Sequence, residues 1–222
     1  MSAERNSQEL WGKRAIAFDM LARAFYEPTE GLAMVITSGR WRDVLLAIAH
    51  ESEFTDLASC PQFLKGDEED PDVLHRWLRI EWTHLFAGVS DAIAPPYEGV
   101  WRARDEGVPP VLFANPHTIE VERFCGECGL ERSRDRHEPL DNIATELEFL
   151  RNLACAASGI FPNSMSIPLS ELPGGSPESA YALFVERHAK VWMPSFAEAV
   201  IKEGRMLFYK DMAAFLKKMV ES

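Results

Sequence analysis

The sequence around Pro139 brings two carboxylates, Glu138 and Asp141, to the start of a stretch with helical periodicity. A carboxylate in such a turn can accept hydrogen bonds from the free N–H groups of the helix, or it can bind a cation. Asp141 is placed to cap the helix, whereas Glu138 lies beyond the first turn and keeps its carboxylate free. The turn is therefore either a simple helix start or a cation-binding site.

Guanidinium groups suit a site with several carboxylates, because a guanidinium can donate two parallel hydrogen bonds to one carboxylate. Glu98 offers a third carboxylate, and Phe86, Trp101 and Leu140 offer an apolar surface. This combination suits a peptide that carries arginines next to an apolar stretch. The alternative needs no ligand, since Asp141 could be only a helix cap and Trp101 a core residue.

Metal chemistry is the competing interpretation. The sequence lacks a phosphate-binding glycine loop, a G-x-S-x-G motif and an H-E-x-x-H pair. Glu81 and His84 do have the Glu-x-x-His spacing that places two ligands on one face of a helix. A di-metal centre needs two such pairs with additional glutamates, and the sequence holds one pair. We therefore expect a protein that is not an enzyme, with a helical-bundle metal-binding enzyme as the alternative.

Cys125 and Cys128 have the spacing of half a zinc site, and His117 and His137 lie on either side of them. A second close-spaced pair is missing. Cys125 also falls on the apolar face of a predicted helix, which favours a packed thiol over a metal ligand. We expect no bound metal or other cofactor.

These residues are carried by a chain whose periodicity is helical throughout, without the alternation typical of strands. Ile143, Leu147, Leu150 and Ala154 form the buried stripe of the helix that follows the acidic turn. We predict a single all-α domain over residues 1–222 with about eight to ten helices, and a loop or hinge near residues 158–176. Helices are predicted over 10–25, 29–37, 42–50, 74–88, 115–129, 143–154, 176–192, 195–203 and 206–219, and residues 91–111 are predicted to be non-helical.

Composition narrows the classes of partner. Lys and Arg total 23 against 35 Asp and Glu, a formal net charge of −12 that repels nucleic acid and attracts basic ligands. The first residues lack an apolar leader, and no apolar run approaches the ~20 residues of a membrane span. We expect a cytoplasmic protein with reduced cysteines, no nucleic-acid partner and no membrane span.

Four segments, in order, carry a resemblance to a known family. They are Glu-Trp-Thr-His-Leu-Phe-Ala-Gly at 81–88, Pro-Pro-Tyr-Glu-Gly-Val-Trp at 95–101, Glu-Pro-Leu-Asp-Asn-Ile-Ala-Thr-Glu-Leu-Glu-Phe-Leu at 138–150 and Phe-Val-Glu-Arg-His-Ala-Lys-Val-Trp-Met-Pro at 184–194. Together they resemble the signatures of the TorD/DmsD/NarJ family of molybdoenzyme maturation chaperones. The resemblance covers residues 80–200 well.

The resemblance implies an all-helical chaperone that binds the twin-arginine leader peptide of a molybdenum oxidoreductase. Its partner would be the catalytic subunit, which it would hold back from export until the molybdenum cofactor is inserted. The chaperone itself would be a monomer or a dimer. Carried over by position, the family's acidic turn falls on Glu138, Pro139 and Asp141, its helix glutamate on Glu146, and its proline-rich aromatic loop on Pro96, Glu98 and Trp101. With the apolar surface added, the predicted peptide-binding residues are Phe86, Glu98, Trp101, Glu138, Leu140, Asp141, Asn142 and Glu146.

Two positions depart from the family pattern. The family usually has histidine where this chain has Asn142, and serine where it has Gly99. Asparagine forms hydrogen bonds but does not titrate near neutral pH, so a proton-dependent role at position 142 is lost or altered. His188, Trp192 and Pro194 match the last signature, where the resemblance implies structural packing.

Overall fold

The computed structural model describes residues 2–50, 70–88, 91–110, 115–130, 139–160 and 166–221. Most of these residues are helical, and the one β-type pairing among them is an isolated antiparallel bridge between Tyr97 and Asn142. The predicted all-α class is confirmed. The helices are α1 (Ser2–Phe25), α2 (Glu30–Thr37), α3 (Arg40–His50), α4 (Pro71–Phe86), α5 (Glu98–Asp105), α6 (Pro116–Glu127), α7 (Ile143–Ala157), α8 (Pro177–Phe184), α9 (Lys190–Glu203) and α10 (Leu207–Glu221).

A π-helical segment, Val185–Ala189, joins α8 to α9, so residues 177–203 form one continuous helical run. With that run counted once, the described residues form nine helical segments, within the predicted range. Pro194 lies inside α9, whereas the sequence pattern placed a break between 192 and 195. A proline removes one intrahelical hydrogen bond, and here that loss does not end the helix.

No described helix is both long enough and apolar enough to cross a membrane.

Three helix starts follow the sequence signals closely, whereas α1 begins at Ser2 rather than at the predicted residue 10. Thr29 Oγ1 accepts a hydrogen bond from the Leu32 N–H at 3.2 Å, and Asn115 and Ser176 cap α6 and α8 through their side chains. In the latter two helices proline occupies the first turn, where its missing N–H costs nothing. The predicted starts near residues 29, 115 and 176 are confirmed.

Helix α5 was not predicted. Residues 91–111 were expected to be non-helical because of Pro95, Pro96, Pro109 and Pro110, yet residues 98–105 are helical. Proline restricts the residue that precedes it, and the eight residues of α5 contain no proline. Glu98 in the first turn and basic residues in the last turn also complement the helix dipole.

The chain divides into two compact units. Unit 1 comprises residues 1–22 and 96–193, and unit 2 comprises residues 23–95 and 194–222. The core of unit 1 includes the predicted stripe of α7, whose four apolar side chains are all fully buried. The core of unit 2 contains an aromatic cluster in which Phe86 packs against Phe25, Phe196 and Tyr209. A single domain over residues 1–222 stays a prediction.

Near residues 158–176, where a loop or hinge was predicted, two short 3₁₀ turns form at Leu169–Glu171 and Pro173–Gly175. Gly174 has φ of 78°, a left-handed conformation that glycine adopts without the strain a side chain would bring. Residues 161–165 of this segment lie outside the described residues. The hinge stays a prediction.

Candidate functional site

Glu98 is the first residue of α5, and its side chain is completely buried. Arg102, one turn further along the same helix, donates from Nη1 to Glu98 Oε1 at 2.8 Å. His188 of the π-helical segment places Nδ1 at 3.2 Å from Oε1 and 3.1 Å from Oε2. A buried carboxylate is stable only when it is paired and hydrogen-bonded, and Glu98 meets both conditions.

Asp141 ties the turn before α7 to two other helices. Its Oδ2 accepts from the Gly99 N–H at 3.0 Å and from Thr118 Oγ1 at 2.7 Å, while its backbone oxygen accepts from the Glu98 N–H at 3.0 Å. Burial raises the pKa of this carboxyl, and the bonds from Thr118 and Gly99 lower it in part. Asp141 therefore joins the starts of α5 and α6 to the acidic turn.

The predicted helix cap is wrong by one residue. Asn142 caps α7, since its Oδ1 accepts from the Ala144 N–H at 2.9 Å. Asp141 is unavailable for that bond because its side chain faces α5 and α6. Asn142 also pairs with Tyr97 in the isolated bridge, and the Ile143 N–H donates to the Pro96 oxygen at 2.8 Å. The proline-rich aromatic segment and the acidic turn are thus adjacent in space.

Glu146 lies in the first turn of α7 and is also completely buried. Trp192 Nε1 donates to Glu146 Oε2 at 3.2 Å, and Oε1 has no donor among the described residues. Burial raises the pKa of Glu146 well above its ordinary value, and the charges of Glu98 and Asp141 raise it further. We call Glu98, Asp141, Glu146 and their partners Arg102 and His188 the buried carboxylate centre.

Sequence reasoning gave two residues of this region no role beside the carboxylates. Thr118 is the third residue of α6, and Asn115 donates from Nδ2 to the Gly99 oxygen at 2.7 Å in addition to capping that helix. Arg102 was detectable, because it lies four residues after Glu98 and side chains at that spacing face each other on a helix. Thr118 could be found only from the fold.

Thr118→Val tests the bond to Asp141. The substitution keeps the shape of the side chain but removes the hydroxyl donor, so we expect a loss of about 1–3 kcal/mol in the free energy of unfolding, measured by urea denaturation. Thr83→Val in α4 is the matched control, since the Thr83 hydroxyl is exposed and bonds only within its own helix; we expect less than about 0.5 kcal/mol there. Equal losses in the two variants would contradict the assigned bond.

Comparison with known proteins identifies the family. Residues 50–198, more than half of the 222-residue chain, match the family model described as the nitrate reductase delta subunit. The chain belongs to the nitrate reductase delta subunit family. A curated relative, "Chaperone protein TorD" of Vibrio cholerae serotype O1, is 29% identical over 121 residues, which is 54% of this chain and 49% of that protein. The chain thus matches about half the length of that relative, and the resemblance to TorD/NarJ proteins is confirmed.

The remaining predicted site residues differ in burial and in the unit to which they belong. Trp101 in α5 is half-buried, with the Arg104 guanidinium 5.2 Å from its ring centroid, and Leu140 is also half-buried. Phe86 is a buried core residue of unit 2, stacked on Phe196 at 5.8 Å. Glu138 lies outside the described residues. Peptide contact by any of these residues stays a prediction.

The Glu81 and His84 pair of the metal-enzyme alternative lies in α4. Glu81 is buried and accepts from the backbone N–H groups of Arg205 and Met206, so its carboxylate holds the turn that precedes α10. His84 is half-buried. In the part of this family member that the structure describes, no group of three or more His, Cys, Asp or Glu side chains is arranged to hold a metal ion.

Cys125 and Cys128 are both buried free thiols. Burial raises the pKa of Cys125 well above its ordinary value and raises the pKa of Cys128 to about 12, so both thiols are neutral at physiological pH. His117 places Nε2 at 2.8 Å from Glu106 Oε1, and His137 lies outside the described residues. The packed-thiol interpretation agrees with this placement.

Proposed function

We propose that this protein is a maturation chaperone for a molybdenum-containing oxidoreductase and catalyses no reaction itself. The family match over residues 50–198 carries the proposal, and the curated relative named as the chaperone TorD supports it. The client is the catalytic subunit of the oxidoreductase, which the chaperone binds in the cytoplasm before the subunit is complete.

The segment recognised on the client is a twin-arginine leader peptide. A peptide with paired arginines next to an apolar stretch requires acidic groups beside an apolar surface. The chain carries a net charge of −12, and Glu138 belongs to the acidic turn that the family resemblance marks. Trp101 and Leu140, both half-buried, offer apolar atoms near the start of α5 and the start of α7. We assign direct peptide contact to Glu138, Trp101 and Leu140.

The buried residues of the predicted site have a different role in this proposal. Glu98, Asp141 and Glu146 are inside unit 1 and Asn142 caps α7, so these side chains act by positioning the acidic turn rather than by touching the peptide. Their hydrogen bonds hold the backbone at Asp141 and Asn142, which follow Glu138 closely in the sequence. Precise placement of one carboxylate favours a guanidinium, which needs a defined geometry, over a lysine ammonium.

Calorimetry with a leader peptide from an oxidoreductase subunit encoded near this chain tests the proposal. We expect binding to weaken about 10- to 100-fold when the two arginines become lysines, and by a similar factor in Glu138→Gln, because each change removes a charge-assisted hydrogen bond. Glu127→Gln is the control, since Glu127 is an exposed glutamate at the end of α6 and should leave affinity unchanged.

The outcomes distinguish two parts of the proposal, the chaperone role and the recognition of the leader peptide. Equal affinity for the arginine and lysine peptides would remove the leader-recognition assignment while leaving a chaperone that binds another part of the client. Failure to bind the client subunit in any form would remove the chaperone assignment itself. A loss with the lysine peptide but none in Glu138→Gln would move the arginine-binding role away from Glu138.

A further inference from the structure

The buried carboxylate centre has more acids than cations. Glu98, Asp141 and Glu146 are each at least 98% buried, and Arg102 is the one permanently charged cation in hydrogen-bond contact with them in the described chain. Three ionised carboxylates in a low-dielectric interior repel one another strongly, and one guanidinium cannot balance them. The repulsion between like charges in such a site falls when one of the carboxylates binds a proton.

Hydrogen-bond donors are unequally shared among the three acids. Glu98 has the Arg102 guanidinium and the His188 ring, and Asp141 has a backbone N–H and the Thr118 hydroxyl. Among the described residues Glu146 has a single donor, the indole N–H of Trp192, which satisfies Oε2. Glu146 Oε1 and Asp141 Oδ1 are both buried and meet no donor there, but Asp141 has two donors at its other oxygen and Glu146 has one. Glu146 is therefore the acid whose ionised form is least compensated.

A proton on Oε1 would resolve this imbalance. The protonated oxygen becomes a donor, and Glu98 is the neighbouring carboxylate that can accept from it. The bond from Trp192 to Oε2 is kept, since a neutral carboxyl still accepts at its other oxygen. The same arrangement recurs wherever two carboxyls share one proton because both cannot ionise at close range.

We propose that Glu146 holds a proton in the folded protein, donated toward Glu98, and that loss of this proton makes unit 1 unfold more readily as the pH rises. The proton on Oε1 joins α7 to α5, while the separate bond from Trp192 to Oε2 joins α7 to the first turn of α9. Unit 1 is thus a pH-sensitive element within the fold. The charged and titratable groups around the centre are Glu98 and Arg102 on α5, Asp141 before α7 and His188 in the π-helical segment. On α6 they are Glu120, which lies 4.0 Å from Arg102, and Cys125 with its neighbour Glu122.

The direction of the pH effect follows from proton linkage. Burial raises the pKa of Glu146 well above 4.5, so the folded state binds this proton more tightly than the unfolded chain does. The stabilisation is complete below about pH 4.5 and is lost as the pH rises toward the folded-state pKa. Asp141 acts in the same direction, because its pKa is raised as well. The neighbouring Cys125 stays neutral across this range and adds no charge.

Glu146→Gln isolates this effect, since the amide accepts from Trp192, can donate to Glu98 and has no proton to lose. We expect the ratio of unfolding constants, wild type over variant, to rise by about tenfold for each pH unit above 5 until the folded-state pKa is passed. Glu127→Gln, an exposed substitution, should give a ratio independent of pH. A flat ratio for Glu146→Gln would overturn the proposal.

Infrared spectroscopy of the wild type gives a second, direct test that does not depend on folding of a variant. At pH 6 exposed glutamates are ionised, so protein labelled with ¹³C at the glutamate carboxyls should show one protonated-carboxyl band that shifts with the label. Asp211 in unit 2, whose burial raises its pKa to about 6, is not shifted by a glutamate label. Absence of the shifted band would overturn the proposal, and its loss in Glu146→Gln would assign it.

Discussion

Trp192→Ala should lower the free energy of unfolding by about 3–5 kcal/mol, the range for removing a large aromatic side chain from a packed core. Trp192 is fully buried, and it is among the largest of the fully buried side chains in the described chain. Its removal would leave a cavity and would also take away the donor to Glu146 Oε2. Urea denaturation followed by circular dichroism measures the change.

Two further tryptophan variants separate the causes of that loss. Trp77→Ala in α4 is the matched control, because Trp77 is 56% exposed and its truncation should cost less than about 1 kcal/mol. Trp192→Phe keeps most of the ring and removes the indole N–H, so it should cost about 1–3 kcal/mol. If Trp192→Ala and Trp77→Ala had equal effects, the buried position of Trp192 would be refuted.

Gly99→Ala should lower the free energy of unfolding by about 1–3 kcal/mol through overpacking. A Cβ at position 99 would lie 2.8 Å from Thr118 Oγ1 and 3.1 Å from both Asn115 Cγ and Asp141 Oδ2. Thr118 is a short, branched side chain whose hydroxyl is bonded to Asp141, so it cannot move without breaking that bond. The clash outweighs the ~0.5–1 kcal/mol that alanine gains over glycine in a helix.

Gly126→Ala is the matched control in α6. Gly126 is an exposed helical glycine, and a methyl group there would meet no atom within 4 Å outside its own helix, so alanine should stabilise the fold by about 0.5–1 kcal/mol. The two substitutions are chemically identical, but they should change the free energy of unfolding in opposite directions.

A Gly99→Ala, Thr118→Ala double variant should lose less unfolding free energy than the sum of the losses in the two single variants, because truncating Thr118 removes the nearest obstacle. Additive losses would show that the clash lies elsewhere.

This result also bears on the departure of Gly99 from the family pattern. Serine, the usual family residue here, would bring the same Cβ as alanine and an additional hydroxyl. In this chain the space for that side chain is taken by Thr118, whose hydroxyl already bonds to Asp141. Glycine at 99 and threonine at 118 therefore depend on each other, which the sequence did not reveal because 19 positions separate them.

Local sequence signals determined most of the helical frame. The stripe of Ile143, Leu147, Leu150 and Ala154 specified α7, since side chains three and four positions apart share one face of a helix. Capping residues followed by proline specified the starts of α6 and α8. Four ordered signatures specified the family. These features depend on residues within a few positions of one another or on a pattern that can be recognised along the chain.

Only the tertiary structure decided what the acidic residues do. Glu98 meets His188 across 90 positions, Glu146 meets Trp192 across 46, and Asp141 meets Gly99 across 42. A carboxylate beside apolar residues in a sequence can face solvent, a ligand or an interior partner, and the choice depends on which donors the fold brings to it. The sequence therefore identified these carboxylates as candidate site residues. The packing of α5, α6, α7 and the π-helical segment placed Glu98, Asp141 and Glu146 inside unit 1, because the fold brings residues distant in the sequence to them as hydrogen-bond donors.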